Sequence, residues 1–242
     1  MRYKCTLSYD GSFFHGFQMQ ANLRTVQETI EDVLLVIHKH PVTIYASGRT
    51  DAGVHAYGQV FHFDSEIDMG EWNMQNAINS RLPQDVYIRK VEKVGEEFHS
   101  RFSAKSKEYH YIIDLGEYDP LHRNYYYYPP FKKLDVEKMI EASQIFIGKH
   151  DFKSFTKNKV ITDTVREIYS IVFERKDNLL TIKFHGNGFL HNMVRILVAM
   201  MVEVGRGKYS TLELKAILEA KNRQLAPKIA PANGLYLQKV YY

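Results

Sequence analysis

The segment Gly48-Arg49-Thr50-Asp51-Ala52-Gly53-Val54-His55 sets one aspartate between glycines, two residues after an arginine, in a stretch that reads as a loop. Serine and cysteine nucleophiles need a base to take a proton. An aspartate, with an ordinary pKa of about 3.9, is already charged at neutral pH, and an arginine beside it favours the charged form further. The glycines relieve crowding, so the carboxylate is approachable. Such a group can attack a sugar at C1′ or stabilise positive charge developing there. On the pattern alone the plainer reading is a loop braced by an Arg49–Asp51 pair with no chemistry. A glycosidase would want a second carboxylate as acid or base, and none lies close in sequence.

The rest of the chain narrows what this carboxylate could work with. The single Cys5 excludes thiolate zinc clusters and an internal disulfide, and the eleven histidines form no H-E-x-x-H pair. Asp64-Ser65-Glu66-Ile67-Asp68 lacks the glycine of a calcium loop. Gly205-Arg206-Gly207-Lys208-Tyr209 has neither the spacing nor the hydroxyl of a phosphate loop. Gly186-Asn187-Gly188 opens like a dinucleotide fingerprint, but its third position is His191. No cofactor and no metal are expected. The longest apolar run, Ile196 to Val202, is far short of the roughly 18 residues a membrane helix needs. Met1-Arg2-Tyr3-Lys4 runs straight into alternating pattern with no apolar leader. A buried Cys5 and these absences suit the cytoplasm. Net charge is +4, which permits a polyanionic partner without demanding one, and the 17 tyrosines offer stacking faces and hydroxyls suited to bases and ribose or, more plainly, to half-buried strands.

Periodicity places these residues on elements. Residues 2–9 alternate, with Tyr3, Cys5, Leu7 and Tyr9 on one face. Thr25-Val26-Gln27-Glu28 is a capping box opening a helix with the stripe Val26, Ile30, Val33, Leu34 and Ile37. Strands are predicted over 42–46, 59–64 and 86–94, and a helix over 71–80. The second half gives strands over 107–115, 165–175, 179–185 and 235–241. Helices are predicted over 134–147, closed by Gly148, and over 189–204, ending at Gly205. Ser210 to Glu213 is a second capping box. The order is β-α-β-β-α-β, then β-α-β-β-α-(α)-β. It predicts an α+β fold of two ferredoxin-like (RRM-like) halves, residues 1–98 and 99–242, sharing a broad, mostly antiparallel sheet with a central cleft.

The longer string Ala46-Ser47-Gly48-Arg49-Thr50-Asp51-Ala52-Gly53-Val54-His55-Ala56 resembles the signature of the TruA family of tRNA pseudouridine synthases. Further matches follow in family order at Tyr9-Asp10-Gly11, Gly16 to Gln20, Thr25 to Glu28, Phe98 to Ala104, Tyr109-His110-Tyr111, His150 to Phe155, Phe189 to Arg195 and Gly234 to Leu237. The resemblance implies a cofactor-free isomerase that converts uridine to pseudouridine at positions 38, 39 and 40 of the tRNA anticodon stem-loop, acting as a homodimer. It implies that Asp51 is the catalytic aspartate and that Tyr109 packs on the target base. Arg195 then pairs with the catalytic carboxylate, and Arg49 enters the RNA as the uridine flips out. Phe98, His99, Arg101 and Phe102 fall in an RNA-contacting segment. Lys157 and Lys159 lie in a basic loop that either meets phosphates or is simply solvated. Arg195 is placed one helical turn after His191, on the same face. The run Tyr125 to Tyr128 finds no role in this scheme.

Overall fold

The computed structural model describes residues 1–131 and 133–242. In chain order the elements are β1 (Arg2–Tyr9), α1 (Val26–His38), β2 (Tyr45–Ala46), β3 (His55–Asp64), α2 (Glu71–Asn79) and β4 (Val86–Val94). There follow β5 (Ser106–Asp114), α3 (Val136–Ser143), β6 (Gly148–Asp151), β7 (Val165–Lys176), β8 (Leu179–Gly186), α4 (Met193–Gly205), α5 (Thr211–Glu219) and β9 (Leu235–Tyr241). The fold is mixed α+β with mostly antiparallel pairing. It divides into two compact units, Met1–Lys105 with Tyr236–Tyr242, and Ser106–Leu235.

In the first unit β1 lies between β4 and β3, antiparallel to both. The alternation in β1 is realised: Tyr3, Cys5 and Leu7 are fully buried. Their register partners across β3 are Phe63, Phe61 and Gln59, so one sheet face is a continuous core layer. Burying each large apolar side chain in such a layer stabilises by about 1.5–3 kcal/mol. Burial also pushes the Cys5 thiol far above its ordinary pKa, which makes it inert. The helical stripe Val26, Ile30, Val33 and Leu34 is buried, and the Thr25 hydroxyl accepts the Glu28 N–H to cap α1. The opposite sheet face carries Arg2, Lys4 and Thr6, with His62 the register partner of Lys4. The outer edge of β3 is split. Its first residues pair in parallel with β9 (His55 with Tyr236, Ala56 with Leu237), and later ones pair with β2 (Phe61 with Ala46, His62 with Tyr45).

In the second unit β8 lies between β5 and β7, and β6 flanks β7. The β7–β8 turn passes through Asp177 in the left-handed region, which aspartate tolerates better than most residues. Helix α4 is buried almost all round, which accounts for its unbroken apolar sequence. At α5 both halves of the Ser210–Glu213 capping box are formed.

The elements depart from the sequence reading at several places. The strand predicted over 42–46 shrinks to Tyr45–Ala46, while β3 begins earlier, at His55. The helix predicted over 134–147 runs only over Val136–Ser143 before a 3-10 turn, and the four-residue β6 follows it. Helix α4 starts at Met193 rather than at 189, because Asn192 sits at φ 61 and a left-handed residue cannot continue an α-helix. His191 therefore lies in the turn before the helix, and the helical i, i+4 relation to Arg195 does not exist.

Gly58 is the tightest point of the β3–β9 contact, since a Cβ there would lie 2.5 Å from the Gln238 carbonyl oxygen. Gly58→Ala is expected to lower unfolding free energy by about 1–3 kcal/mol in urea titrations. Gly188→Ala, whose Cβ would meet nothing nearer than 3.7 Å, should stay within about 0.5 kcal/mol of the wild type.

Candidate active site

Residues 47–54 connect β2 to β3, and buried side chains hold both ends of this connection. Gln59 is fully buried at its mouth. The Gln59 Oε1 accepts from the Ser47 hydroxyl (2.7 Å) and the Val60 N–H (3.0 Å), while Nε2 donates to the Gly48 carbonyl (3.0 Å). Further along, the Thr50 carbonyl accepts the Phe17 N–H at 3.1 Å, and the Thr50 hydroxyl bonds the buried Tyr9 hydroxyl at 2.7 Å. Burial drives the Tyr9 phenol well above its ordinary pKa, so it stays a neutral partner. Past Asp51 the chain turns at Gly53, φ +77, where the Val54 N–H returns to the Asp51 carbonyl (3.2 Å) and the Gly53 N–H reaches Phe14 (3.2 Å).

Neighbouring loops press on this one from outside. Gly16 has φ +95, and a Cβ there would stand 2.9 Å from the Thr50 carbonyl oxygen. At Gly11 a Cβ would overlap the Val54 carbonyl. His55 closes the arrangement. Its Nδ1 accepts the Gly11 N–H (3.0 Å) with Asp10 Oδ1 at 3.2 Å, and its ring stacks on Tyr236 at 4.7 Å. Thr50, Val54 and His55 are thus buried anchors, Asp51 is half-buried among them, and Arg49 projects exposed. A carboxylate on so constrained a backbone is positioned before any ligand arrives, which lowers the cost of reaching a reactive geometry.

The predicted RNA-contacting residues of the first unit gather around the other end of β3. The Ser100 hydroxyl (2.9 Å) and N–H (3.2 Å) both approach Nδ1 of the buried His62. A backbone N–H can only donate, so this nitrogen is an acceptor and the ring is neutral. His99 lies against His62 with ring centres 4.7 Å apart, and Phe102 lies against His99 at 4.3 Å. Phe98 packs on Tyr242 at 5.0 Å, and Arg101 lies 5.7 Å over the Phe102 ring. Sequence reasoning missed Tyr45, His62 and Ser100 in this cluster, because their meeting depends on the β2–β3 register.

The second unit holds Tyr109, Arg195, Lys157 and Lys159. Tyr109 is mostly buried in β5, opposite Phe184, with the Phe189 ring edge-on at 5.2 Å. Arg195, in the first turn of α4, is tied twice to Ala230: its Nε donates to the Ala230 carbonyl (2.8 Å), and its own carbonyl accepts the Ala230 N–H (3.0 Å). That clamp helps to fix the direction of the guanidinium. The neighbouring Tyr111 hydroxyl donates to the Pro231 carbonyl at 2.8 Å, so the segment 230–231 is held from two sides. Lys157 and Lys159 are exposed, and their loop is tied to the turn before α4 by the Lys157 N–H and the Thr156 hydroxyl, both donating to the His191 carbonyl. A surface cavity of about 560 Å³ in this unit, lined by Lys149, His150, Asp151 and Lys221 among others, contains none of the predicted site residues. Asp151 already pairs with Lys221 there at 3.3 Å.

Burial, the nearby Arg2 cation and His99 together pull the His62 imidazole down to about 4 from its ordinary 6.5. The unfolded chain then binds more protons than the folded one between those values, so stability falls as pH drops below about 6.5 and levels off near 4. Allowing for solvent screening, the wild type should lose about 1–2 kcal/mol more than His62→Asn between pH 7 and 4.5. Urea unfolding followed across that range checks this, and parallel curves would contradict it.

With the geometry in place, known proteins can be set beside it. A profile of the family described as tRNA pseudouridine synthase matches residues 6–103 and 142–242. The tRNA pseudouridine synthase A of Geobacillus sp. (strain WCH70) is 49% identical, over all of this chain and 98% of that protein. The protein of the same description from Oceanobacillus iheyensis is 48% identical, over all of this chain and 96% of that one. Among solved structures, a chain of a Cbf5-Nop10-Gar1 complex overlays 82% of this chain and 54% of its own at 10% identity, with a TM-score of 0.37, too weak a likeness to inform the site. Full-length identity near one half, with the Asp51 loop inside the matched region, means that this chain belongs to the tRNA pseudouridine synthase family.

Proposed function

We propose that this chain converts uridine to pseudouridine in the tRNA anticodon stem-loop, at positions 38, 39 and 40, with Asp51 as the catalytic carboxylate. The observation that carries the reading is the rigid loop that presents Asp51 between buried anchors, with Arg49 exposed two residues away. The reaction breaks the N1–C1′ bond, turns the uracil and joins C5 to C1′. The C5 proton leaves to solvent and N1 takes one up, so the composition of the RNA is unchanged. Positive charge develops at C1′ as the first bond breaks, and a preorganised carboxylate is the group suited to meet it. Covalent attack at C1′ and proton abstraction beside it, giving a glycal, both start from this same oxygen.

The other residues take roles that fit their settings. Flipping a uridine out of a stem costs a few kcal/mol, and Arg49 offsets this by entering the vacated site, where a planar guanidinium can stack and donate. Tyr109, with its ring set by Phe189, packs on the uracil, and Arg195, aimed by Ala230, serves the carboxylate. Phe98, His99, Arg101 and Phe102 contact the RNA, and Lys157 and Lys159 meet phosphates. Each half is ferredoxin-like in this reading. The β4-β1-β3-β2 neighbour order in the first unit supports that assignment. The working enzyme is a cytoplasmic homodimer.

Tritium release from tRNA labelled at uridine C5 tests the reaction directly, and its absence with purified protein would remove the isomerase reading. Free uracil on chromatography would point instead to a hydrolase using the same carboxylate. Asp51→Asn should lower turnover at least about a thousandfold while tRNA binding persists. Retained turnover would reject Asp51 as the catalytic group. Binding should weaken at least about tenfold between about 50 and 200 mM salt, as a handful of phosphate contacts requires.

A further inference from the structure

Tyr45, in the two-residue strand β2, has no part in the scheme above, and it is half exposed at 50%. It pairs in register with His62 and stacks on that ring at 5.2 Å and 22°. Its ring also lies 5.8 Å from His99. From His99 the row continues to Phe102 at 4.3 Å, and Phe102 is 77% exposed. Four rings therefore run from the hairpin edge to the tip of the 98–102 turn, with their two ends open to water. A lone exposed aromatic needs no explanation, but Tyr45, His99 and Phe102 together, resting on the buried His62, do.

The row is built rigidly. His99 Nδ1 accepts the N–H groups of Arg101 (3.1 Å) and Phe102 (3.4 Å), which locks the ring and closes the turn under Phe102. The Ser103 hydroxyl accepts the His99 N–H at 3.0 Å, and the Ser103 N–H returns to the His99 carbonyl at 2.8 Å. Ser100 fixes His62 beneath, and Tyr242 donates its hydroxyl to the Ser100 carbonyl at 2.8 Å. These bonds hold the Phe102 ring out in solvent. Arg101 is exposed beside the last ring and suits a phosphate flanking whatever stacks there.

We infer that Tyr45, His99 and Phe102 form a stacking platform for an unpaired RNA base other than the target uridine, with His62 and Ser100 as positioning residues beneath it. Exposed aromatic rings with an adjacent cation match a nucleobase in a single-stranded segment, held with little regard to its identity. The location sets its place on the substrate. Tyr45 lies six residues before Asp51 on the same β2–β3 hairpin, and its partner His62 is seven residues along β3 from His55 at the Asp51 loop, about 23 Å of extended strand. The stacked base is therefore several nucleotides away from the target, in an unpaired part of the same RNA. This inference rests on the tRNA reading above.

The test uses the full-length protein and an anticodon stem-loop RNA carrying 2-aminopurine or an abasic site singly at each unpaired position. Wild-type protein should quench 2-aminopurine fluorescence at one or two positions. Tyr45→Ala and Phe102→Ala should each weaken binding about tenfold and remove that quench, while Tyr45→Phe retains both. An abasic site at the quenched position should weaken wild-type binding similarly and add nothing further to Phe102→Ala. Alanine variants that bind within about twofold of wild type, or an abasic loss that adds fully to theirs, would overturn the platform. Tritium release by the wild type in parallel separates the two readings. Release with unaffected variants removes the platform alone, whereas no release and no binding removes the tRNA reading and the platform with it.

Discussion

The contact on which the Asp51 loop depends is the seating of Thr50 against the loop at Gly16 and Phe17. The Phe17 N–H bonds the Thr50 carbonyl, the Thr50 hydroxyl bonds Tyr9, and Gly16 brings its backbone close enough that a side chain there would crowd the same carbonyl. Asp51 follows directly, so its backbone is positioned by a neighbour that is bonded on both its carbonyl and its hydroxyl. Val54 and His55, on the far side, are fixed through Gly11. The carboxylate thus gains order from backbone contacts rather than from its own burial, and remains half accessible. Catalytic groups need that combination, since burial alone would cost the charged form its solvation.

The same strand, β3, spreads this order over the unit. One of its faces contributes Phe61 and Phe63 to the core, and the other presents His62 to the polar face of the sheet. A neutral histidine there is tolerable because Ser100 satisfies Nδ1, and because protonation would place a cation beside Arg2 in a dry setting. The cost is a dependence on pH. The gain is a ring on which Tyr45 stacks and which His99 meets edge-on. The second unit uses a different device. The Arg195 Nε donates to the Ala230 carbonyl, and the Ala230 N–H bonds back to the Arg195 carbonyl. A long cationic side chain ordinarily carries much rotamer entropy, and this clamp removes part of it before any ligand binds.

Much of this was written locally in the chain. The alternation Tyr3, Cys5, Leu7, Tyr9 needs only the period of a strand, and Thr25 and Ser210 announce helix starts because a cap acts over three residues. Errors arose where a local pattern met a non-local constraint. The apolar run from Phe189 satisfied helical periodicity, but Asn192 turns left-handed and delays α4 by four residues. Strands β2 and β6 are too short to carry a period and exist only because a longer neighbour pairs with them.

The sequence by itself determined the family, the α+β class and the identity of the one carboxylate worth testing, because residue types, spacing and turn chemistry survive in one dimension. Only the tertiary structure decided what holds that carboxylate still and what lies near it. Gln59 closing the loop mouth, Tyr9 reaching Thr50 across 41 positions and Tyr45 meeting His62 are products of strand register and close backbone approach. Such contacts join residues far apart in the chain, and no local propensity encodes which of many possible pairings the packed core will select.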